Sequence, residues 1–356
     1  MMNFTNSDVI KAIKEYKYAP TVQKKKKLDI AYGVDEKLLF ASGISITSIL
    51  LNNDNSSFSF HVFTDFLDLV NETKFQQLAK NRCADITLYL IDCKKLKNLP
   101  NNERFNYSSY IRLAIAEQLC GSKDKVLYLD ADIFCNNSIE DLNDIELTHN
   151  ACGVVKDALG KSARAKLSMR LDTPGIEQQY FNSGFLLLNL AYWRAHDITH
   201  QALALLSSKK YEGKLIYFDQ DILNILFFGK TININARYNT FCDLDYEGKT
   251  RTLQDLNDSA LVHYIGSTKP WHSWASYPSC EIFKKAKEAS EWKDTPFFHP
   301  HLVYEYKACA KHNRYQKNYI KWIKNRTKYR LKKTIQLISP VLFQYNKKTQ
   351  KAHSTL

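Results

Sequence analysis

Four short blocks carry the residue types that chemistry needs. The first is Tyr128-Leu129-Asp130-Ala131-Asp132, in which two carboxylates flank Ala131 directly after an apolar run. Carboxylates at i and i+2 past a strand end reach one hard cation if the chain turns there. Mn²⁺ or Mg²⁺ prefers oxygen ligands of this kind, and a diphosphate can complete its shell. A solvated turn produces the same pattern. The second block runs His263-Tyr264-Ile265-Gly266-Ser267-Thr268-Lys269-Pro270-Trp271-His272 after the apolar Ala260-Leu261-Val262. His263 closes a strand and offers a neutral nitrogen to the same ion. Gly266 permits close backbone approach to a phosphate, and Lys269 could neutralise a leaving diphosphate as a point charge. His272 reads as structural.

The third block, Tyr180-Phe181-Asn182-Ser183-Gly184, leads into the apolar Phe185 to Leu190. An amide beside close-approach backbone suits a polyol, and a turn before a strand explains it equally well. The fourth is Phe218-Asp219-Gln220-Asp221-Ile222-Leu223-Asn224. Asp219 is placed to cap a helix whose apolar face is Ile222, Leu223 and Leu226. Two acids and a glutamine exceed what a cap needs, and Gln220 would project from the helix start towards a pocket. The chain holds no GxGxxG, GxxxxGK[ST] or GxSxG pattern, so the usual dinucleotide, P-loop and hydrolase devices are missing.

The elements that must position these blocks alternate between β and α. Leu28 to Gly33, Phe58 to Phe63, Ile86 to Ile91 and Val126 to Leu129 read as strands, whereas Leu38 to Leu51 and Tyr107 to Leu119 have helical spacing. Such alternation predicts βαβ units and a largely parallel, doubly wound sheet, with ligands at the carboxyl ends of the strands. Residues 1–27 read as a preamble, 28–280 as the α/β domain carrying the four blocks, and 281–356 as a basic helical region.

The 356 residues carry 50 Lys/Arg against 37 Asp/Glu, a net +13. From His301 to Leu356 there are 14 Lys/Arg and one acid, Glu305, so the preceding 300 residues are net neutral. A neutral body argues against a nucleic-acid-binding core. No apolar run approaches the ~18 residues of a membrane span. Residues 1–27 lack the apolar core of a signal peptide and reach a Lys24 to Lys27 run. Eight cysteines without a CxxC pair read as buried thiols in a reducing compartment. The expectation is a cytoplasmic protein. In the tail, Ile320, Ile323, Leu331, Ile335 and Ile338 fall near one helical face opposite Lys and Arg. This is the pattern of an interfacial helix on anionic lipid, although a helix packed on the body would look alike.

The four blocks, in this order, resemble glycosyltransferase family 8, whose members are retaining enzymes of the GT-A fold that use nucleotide sugars. The resemblance spans about Leu28 to Pro278. It extends to bacterial lipopolysaccharide core glucosyl- and galactosyltransferases, whose opening strand and helix fit Ala31-Tyr32-Gly33-Val34-Asp35 and Ser45-Ile46-Thr47-Ser48-Ile49. It implies that Asp130, Asp132 and His263 bind Mn²⁺ or Mg²⁺. It places Ala31, Tyr32 and Gly33 along a uridine site contacted by Asp35, with Arg112 of Tyr110-Ile111-Arg112 on the donor. Asp157 and Asn182 would hold sugar hydroxyls, with Ala131 and Ser183 also in the donor site. Asp219 and Gln220 would lie beside the anomeric carbon, and Gly266 and Lys269 on the diphosphate. Lys37 departs from relatives that carry Asn near the nucleotide.

The implied reaction moves glucose or galactose from a uridine diphosphate (UDP) sugar to a lipopolysaccharide core in α linkage, at the inner face of the inner membrane. Another glycan acceptor, or a UDP-sugar-binding protein without activity, are the alternatives. Gln220 is a poor nucleophile, which favours same-face attack, with Asp219 as the residual nucleophile candidate. Because all four blocks precede Pro278, the donor site is expected to survive removal of His301 to Leu356.

Overall fold

The structure, a computed structural model, describes residues 9–19, 27–53, 58–101 and 106–353. Lys24 to Lys26 and the Ile338 side chain lie outside the described residues. Eleven strands are named here in chain order: β1 (Ile10–Lys17), β2 (Leu28–Val34), β3 (Phe58–Thr64), β4 (Asp85–Ile91), β5 (Lys125–Leu129), β6 (Ile133–Cys135), β7 (Cys152–Lys156), β8 (Phe181–Asn189), β9 (Thr231–Asn233), β10 (Thr240–Phe241) and β11 (Leu261–His263). The main sheet has eight strands in the order β1-β4-β3-β2-β5-β8-β7-β9, and β10-β11-β6 form a small second sheet.

The α/β class and the helical C-terminal extension are as the sequence predicts, but the sheet is mixed. β4, β3, β2 and β5 run parallel, whereas β8 is antiparallel to both β5 and β7. β1 is an antiparallel edge strand on β4. It was hidden in the 1–27 preamble because its sequence, IKAIKEYK, is charged on both faces. Such lysines are what keep an edge strand from recruiting further strands.

Alternate residues of each central strand enter opposite layers of the core, as the period of two requires. Ile30, Tyr32, Leu127 and Leu129 face one layer together with the Leu39–Leu51 helix, while Ala31, Val126 and Tyr128 face the other with the Ile111–Leu119 helix. Both layers are apolar and buried, so the sheet is held on both sides and its strand ends are fixed in space. Packing is continuous across residue 280. Ile282, Phe283 and Trp292 join the first layer, and the Trp292 ring lies on Gly43, where a methyl group would come within 2.2 Å of it.

The Val303–Tyr315 helix buries Cys309, Ala310, His312 and Asn313 against the body, and the long Tyr319–His353 helix packs on it. Ile320, Ile323, Leu331 and Ile335 of that last helix are not covered: Ile320 is 83% exposed and Leu331 61%. The packed-helix explanation of the tail therefore fails for these residues. Among the described residues no helix is long and apolar enough to cross a membrane.

Candidate active site

The first two blocks converge because β5 and β11 end side by side around β6. The Asp130 carbonyl accepts from Ile133 N at 3.1 Å, closing a tight turn that puts Asp130 and Asp132 on one edge. Strand β6 leaves that turn and pairs with β11, with Ile133 opposite His263. The ligand atoms of Asp130, Asp132 and His263 come within 4.8 Å of one another.

The protonation pattern of this cluster follows from one backbone amide. Gly184 N–H donates to Asn182 Oδ1 at 3.0 Å, so that atom is an acceptor and the Asn239 amide that faces it at 3.1 Å presents its Nδ2. Asn239 Oδ1 is thereby turned to His263 Nδ1, 3.0 Å away, and Nδ1 carries the proton. In the neutral imidazole Nε2 is then the lone-pair nitrogen, 3.2 Å from Asp132 Oδ1. Asp132 Oδ1 is buried with no hydrogen bond, despite that short contact. Two acceptors facing each other in a buried site are what a shared cation satisfies, and one carboxylate–carboxylate–imidazole set suits Mn²⁺ or Mg²⁺. The residues present therefore fit the ion.

Lys269 supplies the opposite flank. Its Nζ donates to Asp132 Oδ2 and to Tyr264 O, each at 2.6 Å. Burial would raise the Asp132 carboxyl, but the Lys269 ammonium beside it holds it well below the usual carboxylate range. Gly266, between them in sequence, adopts φ +84°, and a methyl group there would meet Asp243 Oδ1 at 2.9 Å. Only glycine makes this turn without strain.

Arg112 is buried, and its guanidinium is satisfied by protein groups. It donates to Ser109 O (2.9 Å), Ser183 O (2.6 Å) and Asp130 Oδ1 (3.1 Å), and lies 3.1 Å from Asp219 Oδ2. Tyr128 OH also donates to Asp130 Oδ1, at 2.7 Å. Arg112 thus links the metal-side carboxylate to the fourth block.

In that block the capping role expected of Asp219 is wrong. The Phe218–Leu226 helix has Tyr217 at its N-cap position, with no side-chain cap bond. The structural acid is Asp221, whose Oδ2 accepts from Ile216 N (2.8 Å) and Tyr217 N (2.9 Å), and whose two oxygens pair with Arg170 at 2.6 and 2.8 Å. These bonds bracket Phe218, whose φ of +28° is a conformation that bulky residues rarely adopt. Asp219 is released to face Arg112 and Ser183 Oγ (3.3 Å). Its pKa is raised, because burial outweighs the pull of Arg112.

Gln220 Oε1 accepts from Ser183 N (3.0 Å), and its Nε2 donates to Asp157 Oδ2 (3.0 Å) and Tyr180 OH (3.2 Å). Asn182 Nδ2 lies 3.4 Å from the same Asp157 oxygen and 3.3 Å from Gln220 Oε1. Asp157, Asn182 and Gln220 thus form one amide–carboxylate cluster beside the metal-type site. Burial pushes Asp157 up, against the bonds from Asn182 and Gln220.

The residues expected at the nucleotide end behave differently. Ala31 and Tyr32 are fully buried, and Tyr32 OH shares a 3.0 Å bond with Ser45 Oγ. Their side chains belong to the core, so any ligand contact is through backbone. A methyl group on Gly33 would stand 2.9 Å from Ile111, so this glycine brings strand and helix together. Asp35 accepts from Leu38 N (3.2 Å) and Asn106 Nδ2 (3.1 Å). Ala131 is buried in the turn between its two acids.

The residue missed from the sequence is Asn239. It ends the short Ala236–Asn239 turn before β10, and no neighbour marks it as a partner for a histidine 24 positions away.

The chain as a whole is matched by known proteins. The family model described as "Glycosyl transferase family 8" covers residues 29–275, and "Glycosyl transferase family 8 C-terminal" covers 277–333. The chain is 38% identical to the lipopolysaccharide 1,3-galactosyltransferase of Salmonella typhimurium over 317 residues, which is 89% of this chain and 94% of the relative. It is also 38% identical to the lipopolysaccharide glucosyltransferase WaaO of Escherichia coli, over 86% of this chain and 91% of that one. Among solved structures, galactosyltransferase LgtC in complex with donor and acceptor sugar analogs superposes with a TM-score of 0.60 and 26% identity, covering 75% of this chain and 99% of LgtC. With the family model spanning most of the body and its companion spanning the first helices of the tail, the chain belongs to glycosyl transferase family 8.

Proposed function

We propose that the protein is a metal-dependent retaining hexosyltransferase. It moves glucose or galactose from UDP-glucose or UDP-galactose to a lipopolysaccharide core acceptor in α linkage. The observation that carries this is the bare Nε2 of His263 facing the unbonded Oδ1 of Asp132, beside Asp130 and Lys269. The relatives named for lipopolysaccharide support the acceptor class. Asp130, Asp132 and His263 would hold the ion, which when bound neutralises charge on a departing diphosphate. Lys269 adds a second positive charge at that place, and Gly266 lets the backbone approach.

Asp157 and Asn182 offer the sugar hydroxyls a carboxylate and an amide already oriented by Gln220. Gln220 is neutral, and a solved LgtC structure is of an active-site glutamine-to-glutamate mutant, which supports a glutamine at the reacting centre. Asp219, buried against Arg112, is poorly available as a nucleophile. Same-face attack follows, with the leaving phosphate accepting the acceptor's proton.

The basic tail with its uncovered Ile320, Ile323, Leu331 and Ile335 supports a peripheral position on anionic lipid, at the cytoplasmic face of the inner membrane. The test is to offer radiolabelled UDP-sugars with truncated lipopolysaccharide acceptors, with and without chelator. Transfer of one hexose that stops on chelation is expected. UDP-sugar binding with no transfer to any acceptor would reduce the protein to a binding module.

A further inference from the structure

A buried histidine of the C-terminal helix pair reaches the loop that carries Lys269. His312 lies on the Val303–Tyr315 helix and is completely buried. Its Nε2 stands 2.9 Å from Asp245 Oδ1 and 3.1 Å from Thr268 Oγ1, and its Nδ1 stands 2.5 Å from Tyr277 OH. Asp245 in turn gathers the loop. Its Oδ2 accepts from Ser267 Oγ (2.9 Å) and Thr268 N (3.1 Å), and its Oδ1 accepts from Thr268 Oγ1 (3.1 Å). A neutral imidazole fits every partner: Nε2–H donates to the carboxylate and Nδ1 accepts from the phenol.

The next residue along from Thr268 is Lys269, whose ammonium sits 2.6 Å from Asp132. On the other side, beyond Ser267, is Gly266 at φ +84°. The stretch proposed to meet the diphosphate is therefore pinned by its middle to a helix outside the residues 29–275 that the main family model covers.

We infer that His312 is a positioning residue for the diphosphate-binding loop, so that the C-terminal helix pair completes the donor site instead of serving only as an attachment. This rests on the donor reading above. It also reverses the expectation that the donor site survives removal of His301 to Leu356. That cut takes away His312 and exposes Asp245, Thr268 and Tyr277.

The experiment compares UDP with uridine as ligands of the full-length chain with Mn²⁺, in wild type, His312→Phe and His312→Gln. Uridine lacks the phosphates that the loop would meet. His312→Phe keeps the ring volume and loses both hydrogen bonds. A hydrogen bond to a charged group justifies an expected loss of about tenfold in UDP affinity, with uridine binding unchanged. His312→Gln can donate to Asp245 and should recover most of the loss. Equal weakening of UDP and uridine, or UDP binding unaltered in His312→Phe, overturns the inference. A wild type that binds both equally overturns the donor reading and this inference with it. If His312→Phe fails to fold, Thr268→Val removes one hydroxyl from the same network and carries the same prediction.

Discussion

Gly184→Ala is a probe of the metal-type site that adds a single carbon. Gly184 lies in β8 without a positive φ, so alanine meets no backbone penalty and the effect is purely steric. The new methyl would stand 2.5 Å from His263 Cε1, 2.8 Å from Asp130 Oδ2 and 3.0 Å from Asn182 Oδ1, where ordinary contacts are 3.4–4 Å. Two of these atoms belong to the metal-type cluster, and each is held from behind. His263 is tied to Asn239, and Asp130 to Tyr128 and Arg112. Relief therefore requires the imidazole and the carboxylate to part by about 1 Å. Overpacking of this kind costs about 1–3 kcal/mol of stability, a few degrees in melting temperature for a chain of this size. A displacement of that size at the reacting centre costs up to about 100-fold in rate. The assay is Mn²⁺ titration followed by electron paramagnetic resonance, with transfer rate and thermal melting on the same samples. Gly121→Ala, where no heavy atom lies within 4 Å of the added carbon, is the control. Wild-type Mn²⁺ affinity and rate in Gly184→Ala would refute the assignment of this cluster.

Asn239→Ala should lower Mn²⁺ affinity by about 10- to 100-fold, as loss of an outer-shell partner typically does, because His263 then loses the bond that fixes its tautomer; an unchanged titration would show that Asn239 does not orient the ligand. Gln220→Ala should lower kcat by more than donor affinity, and the reverse split would make the residue a binding group only. Gln220→Glu puts a second carboxyl beside Asp157, now 3.0 Å from Gln220 Nε2, so one of the two is pushed up; transfer by this variant should rise as pH falls, and a pH profile matching wild type would contradict the contact. A chain ending at Lys317 should stay folded yet lose co-sedimentation with anionic liposomes at low salt, since each Lys/Arg near such a surface is worth about 1 kcal/mol. Ending it at Pro300 should also lower the melting temperature, and equal liposome binding by full-length and Lys317-terminated chains would refute the membrane role.

Much of this site was legible because its blocks sit at strand ends, where apolar runs of four or five residues stop at polar ones. Asp130, Asp132 and His263 could be paired on that ground, and β5, β6 and β11 do bring them together. Direction was not legible. Phe181–Asn189 is as apolar as a parallel strand, and its antiparallel course depends on pairing partners that periodicity does not encode. Neither was the division of labour between Asp219 and Asp221. Both lie in a first helical turn, and which one holds the preceding chain depends on the path of Ile216 and Tyr217 before it. The Tyr32 side chain was unreadable for a similar reason, because both faces of its strand are core, with Tyr32 in one layer and Ala31 in the other. Asn239 and His312 act through contacts 24 and 67 positions away in the chain, and only the folded arrangement reveals them.

The central claim is that Asp132, with Asp130 and His263, holds a divalent ion needed for hexose transfer. It is tested most directly by measuring UDP release with a lipopolysaccharide acceptor as Mn²⁺ is added back to chelated wild type and to Asp132→Asn. Saturable activation of the wild type is expected, with Asp132→Asn remaining folded and at least about 100-fold slower at saturating Mn²⁺ because a hard anionic ligand is lost. Full transfer in the chelated wild type, or normal rates in Asp132→Asn, would contradict the account.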